Sequence, residues 1–219
     1  MLSGRFLECW KRVFTVPILV INTKLKKNIA ICNYDNRNTE IYDYCLDNVK
    51  TYSELHGYSH IVSKNCAHSP WWCKIFFIKE LLNKNIYDYI VWIDSDAIFM
   101  NMNTRLENII NDIYSITIGV DYYDNINLIK YNGRLNINSG FFIIKNNYIG
   151  NMFIDKCIDI YNKQKHTCLP SNNIYLKMRS SYSGFCYEQY VMARLIKTDF
   201  FSKHTNILDK HVIWNSHIY

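Results

Sequence analysis

The sequence is short of the residues that break secondary structure. Its 219 residues include only 3 prolines and 7 glycines, so the few that occur mark boundaries. It has no block of consecutive lysines and arginines. A formal charge of +6 therefore suits an anionic small substrate better than a nucleic acid, and no nucleic-acid partner is expected. None of its 8 cysteines form a C-x-x-C pair, which argues against a zinc ribbon or a thioredoxin-type motif. No apolar run is long enough to cross a bilayer. The best one, Phe14 to Ile21, is interrupted by Pro17 and falls short of a spanning length. Arg5, Lys11 and Arg12 precede it as in a signal peptide, without a small-residue cleavage site. No internal repeat is visible.

What is present is apolar bulk. About half of the residues are hydrophobic (49%), which excludes a disordered chain and allows a core of useful size. Residues 1–27 read as a leader of uncertain structure and 28–219 as one domain. The compartment stays open between cytoplasm, which is favoured, and the secretory pathway. Most thiols are expected to be reduced, with Cys157 and Cys168 a pairing for an oxidising environment.

The pattern along the chain is strand, helix, strand. Asn28 to Asn33 reads as a first core strand. Thr39 is placed to cap a helix, with Ile41, Cys45, Val49 and Tyr52 on its apolar side and Gly57 as its C-cap. Ser59 to Ser63 then forms a second strand, parallel to the first because a helix joins them. Pro70 starts another helix, with Trp71, Ile75, Ile78 and Leu82 on one side and Lys74 near that face. Residues 104–112 look helical, 115–120 extended, and Phe141 to Ile144 is a buried strand preceded by Gly140, where a bulge or close approach is expected. A helix follows over roughly 147–163, and Glu188-Gln189 opens a last one through Ile196.

The chemistry concentrates at Asp94-Ser95-Asp96. These residues follow the apolar run Tyr89-Ile90-Val91-Trp92-Ile93 and precede Ala97-Ile98-Phe99. Strand alternation would place both carboxylates on one face, where they repel unless a cation lies between them. A hard divalent cation takes carboxylate oxygens, and keeps further positions for diphosphate oxygens. A solvated turn is the plainer reading of such a triplet; the buried strand before it and the apolar residues after it favour the metal.

Three blocks in order resemble the galactosyl/mannosyl/xylosyltransferase family 34, known from yeast mannan and plant xyloglucan synthesis. They are Trp72-Cys73-Lys74 with Tyr89 to Ala97, then Asn138-Ser139-Gly140-Phe141-Phe142-Ile143-Ile144-Lys145-Asn146, then Glu188-Gln189. Tyr52-Ser53-Glu54-Leu55-His56-Gly57-Tyr58 also looks like the segment before the family's second strand. The resemblance spans about residues 28–196. It implies an α/β domain of the GT-A type with a mostly parallel central sheet. It also implies a UDP- or GDP-sugar donor, a divalent cation (usually Mn²⁺), a glycan or glycoconjugate acceptor and retention at the anomeric carbon.

The resemblance further implies residue roles. Asp94 and Asp96 would hold the metal, with Ser95 beside the ribose or sugar. Asn33 and Asp35 would face the nucleobase, and Lys74 the donor phosphate or sugar. Asn138, Ser139 and Gly140 would flank the transferred sugar, and Glu188 and Gln189 would lie near the anomeric centre. Glu188 is a small departure, since many members carry Asp there. A late histidine is the usual third metal ligand. His217 is the first candidate and His211 the second, although Ile213-Trp214-Asn215-Ser216 also reads as an earlier segment. Two competing readings remain, a degenerate sugar-binding homologue and a haloacid-dehalogenase phosphatase.

Overall fold

The structure, a computed structural model, describes residues 26–37, 39–120, 137–165 and 186–208. Its elements run β1 (Ile29–Tyr34), α1 (Glu40–His56), β2 (Ser59–Ser63), α2 (Pro70–Lys84) and β3 (Tyr89–Ile93). After a 3-10 turn at Leu106–Asn108 come β4 (Ile116–Val120), β5 (Ile137–Lys145), α3 (Tyr148–Gln164), α4 (Glu188–Ile196), α5 (Asp199–Ser202) and β6 (Thr205–Leu208). The six strands form one sheet in the order β2-β1-β3-β5-β4-β6. The β1–β2, β1–β3 and β4–β6 pairings are parallel, and β5 runs against both of its neighbours. A single α/β domain with a mixed, mostly parallel sheet is therefore observed.

Alternation along the central strands divides the core in two. Ile90 and Trp92 of β3, Cys32 of β1 and Phe142 and Ile144 of β5 pack with Trp72, Ile75, Ile78, Phe153 and Val191 from α2, α3 and α4. Tyr89, Val91 and Ile93, with Ile29, Ile31, Phe141 and Ile143, pack on the other face against Val49 and Tyr52 of α1 and against Phe99. A sheet buried on both faces explains why these strands read as continuous apolar runs. The helix ends are set locally. Thr39 accepts from the Tyr42 amide, Asn147 accepts from the Gly150 amide, and Gly57 closes α1 at φ 72°, a conformation open to glycine without steric cost. Gly150 is also spatially required, because a Cβ there would lie 2.0 Å from the Lys145 carbonyl oxygen.

Several expectations are corrected. Residues 104–112 hold one 3-10 turn. Leu106, Ile109 and Ile110 imitate helical spacing, but the Asn111 side chain accepts from the Ile113 amide, a local turn that competes with helix. Ile41 is exposed, and the buried side of α1 runs through Tyr42, Cys45, Val49, Tyr52 and His56. Trp71 is partly exposed and Trp72 is the buried indole, with its Nε1 donating to the Cys186 carbonyl at 2.9 Å. Cys66 and Cys73 form a disulfide and Cys186 is also disulfide-bonded. Cys32, Cys45 and Cys157 are free and buried, so Cys157 is not a bridging thiol. The chain also continues past Ile196 into α5 and β6.

Candidate active site

The reversed direction of β5 builds the site. Ile93 at the end of β3 pairs with Phe141 at the middle of β5, and the Asp94 amide donates to the Gly140 carbonyl at 2.8 Å. Asn138-Ser139-Gly140 is thereby held beside Asp94. The expected irregularity is there too, since the β4–β5 register shifts between Ile118 and Gly119, which pair with Phe142 and Asn138. The Asn138 side chain accepts from the Gly140 amide at 2.7 Å and stiffens the segment.

Asp94-Ser95-Asp96 is itself a turn, closed by the Ala97 amide donating to the Asp94 carbonyl at 3.1 Å. The strand ends at Ile93, so alternation does not set where the two carboxylates lie; the turn does. Asp94 Oδ1 accepts from Trp92 Nε1 at 2.6 Å and from Lys74 Nζ at 2.9 Å. Asp94 Oδ2 and both oxygens of Asp96 accept no hydrogen bond from the described residues.

One wall of the site is built around Lys74. Its ammonium lies 2.9 Å from Asp94 Oδ1 and 3.0 Å from Glu188 Oε1, and donates to the Ser139 carbonyl at 3.2 Å. These three contacts use all of its donors. Burial alone would lower its pKa, but Asp94 and Glu188 outweigh that effect and raise it. Lys74 is therefore a permanent cation that ties α2, β3, β5 and α4 together. Ser139 Oγ lies 2.9 Å from Glu188 Oε1 and 3.0 Å from Gln189 Oε1, and the Ser139 amide also donates to Gln189 Oε1 at 3.0 Å. A hydroxyl has one proton, so it donates to only one of the two at a time.

The opposite wall comes from the end of β1. The Asp35 side chain is 2% exposed. It accepts from the Arg37 amide at 2.7 Å, from Arg37 Nε at 2.9 Å and Nη2 at 2.6 Å, and from Ser95 Oγ at 2.5 Å. Burial alone would raise its pKa, yet the hydrogen bonds from Arg37 and Ser95 hold it below the usual carboxylate value. Asn33 lies deeper. Its Nδ2 donates to the Ile93 carbonyl at 2.9 Å and its Oδ1 accepts from His60 Nε2 at 2.7 Å, which fixes that imidazole as the Nε2–H form or the cation.

The structure thus brings Asp35, Lys74, Asp94, Ser95, Asp96, Asn138, Ser139, Gly140, Glu188 and Gln189 to one edge of the sheet. Asn33 is nearby with its amide already engaged between strands. His217 and His211 lie outside the described residues, as do Asp121 and Cys168. Sequence reasoning missed Arg37 and Trp92 as parts of the site. Arg37 stands two residues after Asp35, but that spacing carries no signal without the tertiary contact to Ser95.

Among the described residues two cations, Arg37 and Lys74, meet four carboxylates here, Asp35, Asp94, Asp96 and Glu188. The formal excess is two negative charges. Asp94 Oδ2 and the Asp96 carboxylate are hard oxygen donors without hydrogen-bond partners among the described residues, which fits a divalent cation of the magnesium or manganese type. Among the described residues no group of three or more His, Cys, Asp or Glu converges on one point. Two carboxylates are nonetheless enough for a cation that takes its other ligands from water and substrate phosphates.

The sequence profile of the galactosyl transferase GMA12/MNN10 family matches residues 15–175. Among solved structures, the fold is similar to a glycosyltransferase involved in the glycosylation of the major capsid of PBCV-1. That match has a TM-score of 0.58 at 13% identity, covering 85% of this chain and 84% of the other. The glycosyltransferase GlyE of Streptococcus pneumoniae TIGR4 is a weaker match, with a TM-score of 0.46 at 13% identity, covering 84% of this chain and 46% of that one. No curated protein matches the chain significantly.

Proposed function

Because this chain belongs to the galactosyl transferase GMA12/MNN10 family, and is a glycosyltransferase by that membership, we propose that it moves a hexose or pentose from a UDP- or GDP-sugar to a glycan or glycoconjugate hydroxyl, with a divalent cation and with retention. One observation carries the metal-dependent reading. The turn Asp94-Ser95-Asp96 stands at the carboxyl end of β3 with carboxylate oxygens that accept no hydrogen bond from the described residues and, among those residues, an excess of negative charge around it. That edge of an open α/β sheet is where ligands bind.

Asp94 Oδ2 and Asp96 would hold the cation, with Mn²⁺ favoured and His217 the candidate for a further ligand. When bound, such a cation offsets charge on the leaving diphosphate as a Lewis acid. In the transfer, the bond from the anomeric carbon to the diphosphate oxygen breaks and one to the acceptor oxygen forms. The acceptor proton passes to the departing diphosphate.

Lys74 holds Asp94 and Glu188 in register, so both keep their places as charge builds on the sugar. Its donors are spent on the protein, which supports an organising role over direct contact with phosphate. Gln189 cannot ionise, so it serves neither as a base nor as a stable nucleophile. When Ser139 gives its hydroxyl proton to Glu188, Gln189 Oε1 keeps a lone pair for positive charge at the anomeric carbon. Asn138, Ser139 and Gly140 line the place for the transferred sugar. The Cys66–Cys73 disulfide supports an oxidising compartment over the cytoplasm.

The test is a thermal-shift and donor-hydrolysis series of nucleotide sugars with and without Mn²⁺. A ligand that binds only the native state raises its melting temperature. A shift and hydrolysis that require the cation support the reading. Binding without hydrolysis points to a degenerate homologue, and turnover of a simple phosphomonoester instead points to a phosphatase.

A further inference from the structure

Asp35 and Arg37 form an unusual unit. The carboxylate is buried, while the guanidinium that covers it has a side chain 63% exposed. The amide of Arg37 is also tied to Asp35 Oδ1, so backbone and side chain are both fixed. Arg37 Nη2 further lies 3.1 Å from Ser95 Oγ, the middle residue of the Asp-Ser-Asp turn. Arg37 Nη1 makes no hydrogen bond to the described residues. The guanidinium also lies within electrostatic reach of Asp94 and Asp96.

A surface ion pair alone contributes little to stability, and an exposed arginine has no need of four anchoring contacts. Burying a carboxylate is costly unless its lone pairs are satisfied, which the amide and guanidinium of Arg37 and the hydroxyl of Ser95 do for Asp35. The arrangement immobilises a planar cation whose Nη1 is left unengaged by the described residues, beside the two aspartates of the turn. The two N–H groups of Nη1 remain for the oxygens of an anion, and a charge-assisted hydrogen bond from a guanidinium held this rigidly suits a phosphate.

We infer that Arg37 is a binding residue for the diphosphate of the donor, and that Asp35 is its positioning residue rather than a reader of the nucleobase. The inference rests on the reading of this site as a nucleotide-sugar site. It makes phosphate recognition partly independent of the cation, because Arg37 supplies positive charge from the protein itself.

The experiment is calorimetric titration of the intact chain with a nucleoside diphosphate and with the matching nucleoside, in Mn²⁺ and in EDTA. Arg37→Ala is expected to weaken nucleoside diphosphate binding about 10- to 100-fold, as for loss of a charged hydrogen bond, and to leave nucleoside binding unchanged. Arg37→Lys, which keeps the charge without the anchored planar guanidinium, is expected to fall between. In EDTA the wild-type chain is expected to retain weak diphosphate binding that Arg37→Ala lacks. Since Arg37→Ala leaves a buried carboxylate uncovered, the double variant Asp35→Asn with Arg37→Ala serves as the second test and is expected to show the same selective loss. Equal binding by wild type and both variants overturns the inference while leaving the donor site standing. An equal loss for nucleoside and nucleoside diphosphate also overturns it, by placing Arg37 against the base or ribose. If the wild-type chain binds no nucleoside diphosphate in either condition, the underlying donor site falls as well.

Discussion

The two walls of the site solve opposite electrostatic problems. Around Lys74 the cation is buried and the carboxylates surround it. Around Asp35 the carboxylate is buried and the cation faces solvent. The first arrangement joins four elements and leaves the cation no spare donor. The second joins the end of β1 to the Asp-Ser-Asp turn and leaves the Nη1 group of the cation unengaged by the described residues. A buried hub resists change and holds geometry, whereas an exposed, anchored charge is available to a ligand. On the proposed reading, the difference separates what holds the site from what meets the substrate.

The largest effect expected is from Asp96→Ala, which lies between the walls and belongs to neither. It is expected to abolish transfer and donor hydrolysis in Mn²⁺. Stability should stay within about 0.5 kcal/mol or rise, because the carboxylate accepts no hydrogen bond from the described residues and its attraction to Arg37 is set against repulsion from the neighbouring carboxylates. A variant that binds a nucleotide sugar as tightly as wild type in Mn²⁺ would refute the cation bridge.

Breaking the buried hub comes next. Lys74→Met leaves Glu188 buried without its counterion, which typically costs about 3–5 kcal/mol. Urea denaturation is the measurement. Adding Glu188→Gln to the same chain should recover part of that loss, as removing both charges is far less costly than removing one. A Lys74→Met chain as stable as wild type would show that the hub is only incidental.

Gln189→Ala tests the chemistry on the same wall. Turnover is expected to fall about 10²–10³-fold, the range for losing one transition-state contact. Donor affinity should change little, as for an interaction made mainly in the transition state. Product NMR on the wild-type enzyme is expected to show an α linkage from an α-configured donor. A β linkage would remove the retaining assignment.

The smallest effect belongs to the exposed wall. Asp35 has a lowered pKa in the folded chain, so the native state binds fewer protons than the unfolded state in the acid range. Its contribution is complete above the ordinary carboxylate value of about 4 and disappears as pH falls through the lowered one. Asp35→Asn should therefore flatten the acid limb of the stability profile below about pH 4. An unchanged limb in thermal melts across that range would mean the pair contributes nothing there.

Much of this organisation was legible in the residues. The caps at Thr39 and Gly57, the start at Pro70 and the opening of α4 at Glu188 depend on short-range hydrogen bonds and backbone preference, which act within a few residues. The triplet Asp94-Ser95-Asp96 stood out because charge is rare at the end of a buried strand. Other readings failed where the needed information was long-range. Trp71 and Trp72 are chemically alike, and only packing against α3 and α4 buries the second. Leu106, Ile109 and Ile110 have helical spacing, and a side-chain turn at Asn111 overrides it.

The sequence by itself determined the kind of fold, the strand that ends in the aspartates and the carboxylate, amide and basic residue types of the candidate site. Those follow from local periodicity and from chemistry carried by single side chains. Only the tertiary structure decided that β5 runs backwards, bringing Ser139 to Asp94, that Lys74 faces inward between two carboxylates, and that Arg37 stands over Ser95. These depend on contacts between residues 20 to 114 positions apart, as between Lys74 and Asp94 or Trp72 and Cys186. Such contacts are set by the collective packing of two faces of a sheet, and no local pattern encodes them.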